Sequence, residues 1–220
     1  MNEPMDFLIW TKGMAFDIAV TIFVIGVILR LFEIISLGRK QNLAEPKGTE
    51  FGPGMKTIFS RSVPDLGTFR RQPLTVVTGY MFHIGLFVSL FLFVPHIELF
   101  RATFGFGWPG LPTPVVDAAA VLAIVGLLAG LWHRIMNPVM QKITTWEDWL
   151  VWALTFLPII TGYLAYHRMV NPYPLILGLH ILSVEALMIA FPFTKLMHTF
   201  TVFLSRWYNG AMSGRRGVES

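Results

Sequence analysis

The chain has 220 residues, a formal net charge of +4, 54% hydrophobic residues and only 14% charged ones. A water-soluble domain carries about a quarter of its residues as charges, so this composition excludes an ordinary soluble fold. Cysteine is absent, which excludes disulfides, iron–sulfur clusters, thiolate zinc sites and thioether-linked haem, and leaves His or Met to hold any redox cofactor.

Apolar runs of the length that crosses a bilayer as a helix recur along the chain. They predict five spans at about 14–37, 74–94, 115–136, 148–167 and 175–204. The fold class is thus an all-α integral membrane protein, with residues 1–220 as a single five-helix membrane domain. The segment before the first span carries Glu3 and Asp6 and has no basic region ahead of an apolar stretch, so the first run is expected to be retained rather than cleaved as a leader. Arg30 lies toward the far end of that span.

The first connection, 38–73, holds Arg39, Lys40, Lys47, Lys56, Arg61, Arg70 and Arg71 and is broken by Gly52, Pro53, Gly54, Pro64 and Pro73. Such a segment has little to bury and is expected on the membrane surface or against a partner, with anionic lipid as one candidate for its charge. Span two carries His83 and His96, and the 95–114 connection after it is rich in aromatic, Gly and Pro residues. Span three ends near His133 and Arg134, span four opens on Trp146, Trp149 and Trp152 as an interfacial belt and ends at His167, and span five contains His180, Glu185 and His198. Arg134 and Lys142, then Lys195, Arg206, Arg215 and Arg216, fall on the same side as the 38–73 loop, against Lys12, Arg101 and Arg168 opposite. The positive-inside rule then puts the N-terminus outside, and the loop and the basic tail 205–220 in the cytoplasm. No internal repeat is visible, which counts against a transporter.

All six histidines lie in or at the ends of spans. One membrane histidine is most simply a hydrogen-bonding residue between helices, but six ask for a further reason. On a continuous fifth helix, His180 and His198, 18 residues apart, would share a face about 27 Å apart in depth. Span two runs antiparallel to it, so the depth-matched pairs are His83 with His198 on the cytoplasmic side and His96 with His180 on the outer side. Bis-imidazole ligation of two b haems is the natural reading of that pattern. His83 and His96 are rotated about 140° from one another on an ideal helix, and Pro95 is placed to re-aim His96. His167 stays open as an alternative outer ligand. Glu98, Arg101 and His167 are quinone-site candidates, because a polar group near the outer haem would take up the protons that quinol oxidation releases. Glu185, the deepest acid, reads equally as a proton relay or as a helix-to-helix hydrogen-bonding group. Gly126-x-x-x-Gly130, with Gly79 and Gly85, permits close approach of helices or of a flat macrocycle.

Phe82-His83-Ile84-Gly85, the His180/His198 pair and the five spans resemble the membrane cytochrome b subunit of respiratory nitrate reductase. The stretch GYMFHIGLFVSLFLFVPHIELF also looks like the related cytochrome b of sulfite-reductase-associated membrane complexes. The nitrate-reductase pattern has a shorter spacing on span two, where this chain has Phe93 and only later His96. The resemblance implies two haem b groups, an exchangeable menaquinone or ubiquinone, and a cytoplasmic iron–sulfur electron-transfer partner in the cytoplasmic membrane of a prokaryote. It also implies an enzyme role as the quinone-linked subunit, with no catalytic residues for the terminal substrate in this chain. The alternatives are electron exchange with a periplasmic cytochrome c, or a non-redox transporter or scaffold that uses the same histidines. No nucleic-acid partner is expected.

Overall fold

The computed structural model describes residues 3–38 and 42–218, so Arg39 and Lys40 of the basic loop and Glu219 and Ser220 of the tail lie outside the described residues. Among the described residues the secondary structure is helical throughout, with no strand. Five stretches are long and apolar enough to cross a membrane: Glu3–Leu37, Pro73–Phe91, Thr113–Met136, Trp146–Tyr166 and Tyr173–Phe193. The first consists of α1 (Glu3–Trp10) and α2 (Phe16–Leu37), joined through a π-helical turn Thr11–Ala15 at Gly13. It therefore starts eleven residues earlier than the apolar run alone predicts.

The chain forms two compact units, residues 1–20 with 72–188 and residues 21–71 with 189–220. In the first unit α5 (Pro73–Phe91), α6 (Val94–Phe104), α7 (Thr113–Met136), α8 (Pro138–Ile143), α9 (Trp146–Tyr166) and most of α10 (Tyr173–Ala190) follow one another. Proline in the first turn starts α5, α6 and α7 without the loss of a helix hydrogen bond. Small residues let α5 and α7 meet closely. Gly85 lies against the backbone of Ala119 and the side chain of Ala123, and a Cβ on Gly126 would come within 2.9 Å of the Phe82 nitrogen. Gly79, by contrast, faces open space and Gly130 makes only ordinary contact, so half of the glycine set serves helix packing.

Ala123, Leu127 and Ile159 form the buried core of this unit, with Phe82, Leu86, Trp152 and Phe156 packed on it. Trp152 donates its Nε1–H to the Leu127 carbonyl at 3.0 Å and stacks on Phe156. It is thus a core residue and not part of an interfacial belt. Trp146 at the start of the same helix is 75% exposed. A capping box between Thr145 and Asp148 starts α9.

The second unit corrects the reading of the 38–73 loop as a segment with little to bury. Residues Phe51–Ser60 form α3 and Leu66–Arg71 form α4, and α3 packs on α11 (His198–Arg215). The contact is built from small residues on both sides: Gly210 and Gly214 lie against Pro53 and Thr57, and Gly54 against the Trp207 indole. Thr57 is fully buried there. Arg215 pairs with Glu50 at 3.1 Å and also donates to the carbonyls of Asn42 and Ala44, while Arg206 donates to Ser62. The basic tail is therefore a helix clamped to the loop as far as Arg215.

The fifth apolar helix is shorter than the predicted 175–204. It closes in a tight turn, Phe191–Phe193, at Pro192, and the chain is extended at Thr194 (φ −129°, ψ 177°) before α11 begins at His198. Pro192 lacks the N–H that a continuing helix needs; its ring fits over Gly26, and its carbonyl accepts from Arg30 Nε at 3.1 Å. Consequently no single helix carries both His180 and His198, and their spacing of five turns does not define a shared face.

Candidate functional site

The site grows from a second helix break. Helix α5 stops at Phe91, Phe93 is extended (ψ 123°), and α6 restarts with Pro95 in its first turn. His96 therefore stands on a new helix, and the rotation relative to His83 expected of one continuous span does not apply. Its Nδ1 lies 2.9 Å from the Ser89 carbonyl at the end of α5. His180, in the second turn of α10, places its Nδ1 3.0 Å from the Pro158 carbonyl of α9, with the Thr161 hydroxyl alongside at 3.4 Å. Gly162, also on α9, makes room for the ring: a Cβ there would sit 2.8 Å from His180 Cε1.

These contacts fix chemistry as well as position. A carbonyl oxygen only accepts, so each Nδ1 carries its hydrogen and each Nε2 is left with a lone pair, the tautomer of a metal-ligating imidazole. The His96 and His180 rings are 6.3 Å apart between centroids and 19° from parallel. Metal–imidazole bonds of about 2 Å, with about 1.2 Å from nitrogen to ring centre, would put two ligands of one metal at about 6.4 Å between centroids. The centroid separation of the pair is close to that. Among the described residues no group of three or more His, Cys, Asp or Glu side chains could hold a bare metal ion, whereas an axial pair needs only two.

His83 and His198 repeat the anchoring, with Nδ1 on the carbonyls of Gly79 at 2.7 Å and Lys195 at 2.8 Å respectively. His83 belongs to the first unit and His198 to the second. His167 differs from these four, since its Nε2 faces Asp117 Oδ1 at 3.2 Å. Of the other quinone-site candidates, Glu98 and Arg101 are exposed and pair with each other at 2.7 Å on α6. Glu185 is 2% exposed, and neither of its carboxylate oxygens has a hydrogen-bond partner among the described residues.

Sequence reasoning did not couple Asp117 to His167, nor single out Ser89, Pro158 and Gly162 as supports for the histidines. Gly162, four residues after the in-span Pro158, was the visible signal for a close approach to α9.

No family model matches the chain. A curated protein of Nitratidesulfovibrio vulgaris (strain Hildenborough), whose name "Protein" states no activity, is 39% identical over 140 residues, 63% of this chain and 61% of that protein. The match thus spans about three fifths of the relative's length.

Proposed function

We propose that this chain is a di-haem cytochrome b, the quinone-linked membrane subunit of a respiratory oxidoreductase. It passes electrons between menaquinone or ubiquinone and a cytoplasmic iron–sulfur partner, in which the chemistry of the terminal substrate resides. The observation that carries the reading is the adjacent pair His96 and His180, with ring centroids 6.3 Å apart and both Nδ1 atoms held by main-chain carbonyls. Two imidazoles with that tautomer and spacing fit the axial positions of a b haem. When bound, the haem supplies one-electron exchange. The chain supplies the rest: the Ser89 and Pro158 carbonyls orient the rings, and Gly162 lets α9 close against His180.

His83 and His198 each carry the same Nδ1 anchoring to a main-chain carbonyl and are the candidate ligands for a second haem. The Lys/Arg distribution supports an outer N-terminus and a cytoplasmic C-terminus in a prokaryotic cytoplasmic membrane. Arg61, Arg70 and Arg71 are exposed and offer an electron-transfer partner a cationic face.

The test is a dithionite-reduced minus oxidised visible spectrum of the purified chain, with haem per polypeptide from the pyridine haemochrome. About two b haems per chain are expected from four axial histidines. A chain without Soret absorbance after haem-sufficient expression overturns the reading in favour of a non-redox membrane scaffold.

A further inference from the structure

Where α5 ends, α7 begins and α9 ends, the first unit gathers a second polar group that the haem ligands leave unused. Asp117 lies in the second turn of α7, and His167 is the residue that closes α9. They meet at 3.2 Å, with side chains 30% and 29% exposed. Tyr163 packs its ring on His167 at 4.5 Å between centroids, and Tyr166 stands edge-on to it at 5.3 Å. Tyr166 also meets Phe93 edge-on at 4.9 Å, and Phe93 meets His96 at 5.2 Å. A continuous run of ring contacts thus leads from the acid–imidazole pair to His96, and from His96 to His180.

We infer that Asp117 and His167 form the proton-accepting dyad of a hydroquinone-oxidising site at this end of the unit. The inference rests on the assignment of a b haem to His96 and His180. An ionised carboxylate only accepts, so His167 donates Nε2–H to Asp117, and its basic nitrogen is Nδ1. Among the described residues that nitrogen has no hydrogen-bond partner. The ring stands at the C-terminal end of α9, hydrogen-bonded to the Asp117 carboxylate. Glu98 and Arg101 are a worse base, because they neutralise each other in an exposed pair.

The step balances. Oxidation of a hydroquinone to its quinone breaks two O–H bonds and releases two protons and two electrons. The oxidant would be a b haem held by His96 and His180, which would supply one-electron exchange and so take the two electrons one at a time. The protons go to His167 Nδ1 in turn, and from there to water on the exposed side of the dyad. His167 is the catalytic residue; Asp117 is a positioning residue that holds the imidazole tautomer and orientation.

The test uses the full chain in lipid nanodiscs, as wild type and as H167Q, D117N and D117E. Three quantities are read: haem per chain, binding of a hydroxyquinoline N-oxide by fluorescence quenching, and stopped-flow haem reduction by a short-chain hydroquinone. Haem content is expected to be unchanged in all variants. Hydroquinone-driven haem reduction should fall at least tenfold in H167Q and D117N, in line with the usual worth of a general base, and recover in D117E, while reduction by dithionite keeps its rate. The N-oxide should bind more weakly to H167Q. Rates within twofold of wild type with both haems in place overturn the dyad and leave the haem assignment standing. A D117E variant as slow as D117N removes Asp117 from the assignment. Loss of a haem in H167Q makes His167 an axial ligand and overturns the inference, and a wild-type chain without haem removes the assignment on which it rests.

Discussion

The ring centroids of His96 and His180 lie 6.3 Å apart, with the rings 19° from parallel, although they stand on helices separated in sequence by two further spans. Each ring is held from behind by a carbonyl of a different helix, Ser89 of α5 and Pro158 of α9. Such anchoring costs the fold two side chains that would otherwise be freer, and it leaves both Nε2 atoms available. Ligation predicts that His96→Ala and His180→Ala each lower the haem-to-chain ratio by one, with the same haem lost in both. His167→Ala should leave the ratio unchanged. A ratio maintained in His96→Ala and lowered in His167→Ala would make His167 the ligand in place of His96.

Gly162 gives a subtler probe of the same ring. A methyl group there would lie 2.8 Å from His180 Cε1, closer than packed carbon atoms tolerate, so the imidazole must turn or shift. Gly162→Ala is expected to retain the fold and move the midpoint potential of one haem, and Gly162→Val to lose that haem. Redox titration of both variants reads the effect; two unshifted potentials in Gly162→Val would mean that His180 holds no haem.

The five spans were legible because each apolar run is long enough to cross a bilayer, a property of composition that needs no tertiary information. The breaks were harder to read. Pro95 and Pro192 were visible, yet only packing decides whether such a proline bends a helix or ends it. At Pro192 the ring is seated over Gly26 and the carbonyl is taken by Arg30, and the helix stops. The proximity of His96 and His180 could be anticipated from depth alone. The partnership of His167 with Asp117 could not, because fifty residues separate them and nothing local joins them. The α3–α11 contact was readable in part: Gly210-x-x-x-Gly214 has the same small-residue spacing as Gly126-x-x-x-Gly130, but it lies in a polar tail whose composition gives no sign of a close helix partner.

Outside the spans, Asp65 carries a pH-dependent contribution. The Thr68 hydroxyl and main-chain N–H both donate to its carboxylate, at 2.5 and 3.0 Å, and they hold its pKa below the ordinary carboxylate value. A group whose pKa is lower folded than unfolded adds stability above its unfolded pKa and loses it as the pH falls through the folded one. Thr68→Val should therefore raise the Asp65 pKa, as read by carboxyl-carbon NMR titration. An unmoved titration would show that the Thr68 hydroxyl is not the cause.

The contact of α3 with α11 is the most sharply testable part of the second unit. Gly210 lies against Thr57 and the Pro53 carbonyl, and Gly214 against the Pro53 ring and the Thr49 carbonyl. Backbone atoms cannot move aside as a flexible side chain does. Gly210→Val should thus force the helices apart and destabilise this contact by about 1–3 kcal/mol, the usual cost of overpacking. The Arg215–Glu50 pair and the bonds from Arg215 to the Asn42 and Ala44 carbonyls lie further along the same contact and should loosen with it. Limited proteolysis is the direct reading, with faster cleavage between Asn42 and Ser62 in the variant. Gly52→Ala is the control, since a Cβ at Gly52 meets nothing within 4 Å. Equal cleavage of Gly210→Val and Gly52→Ala would mean that the loop is not held by the C-terminal helix.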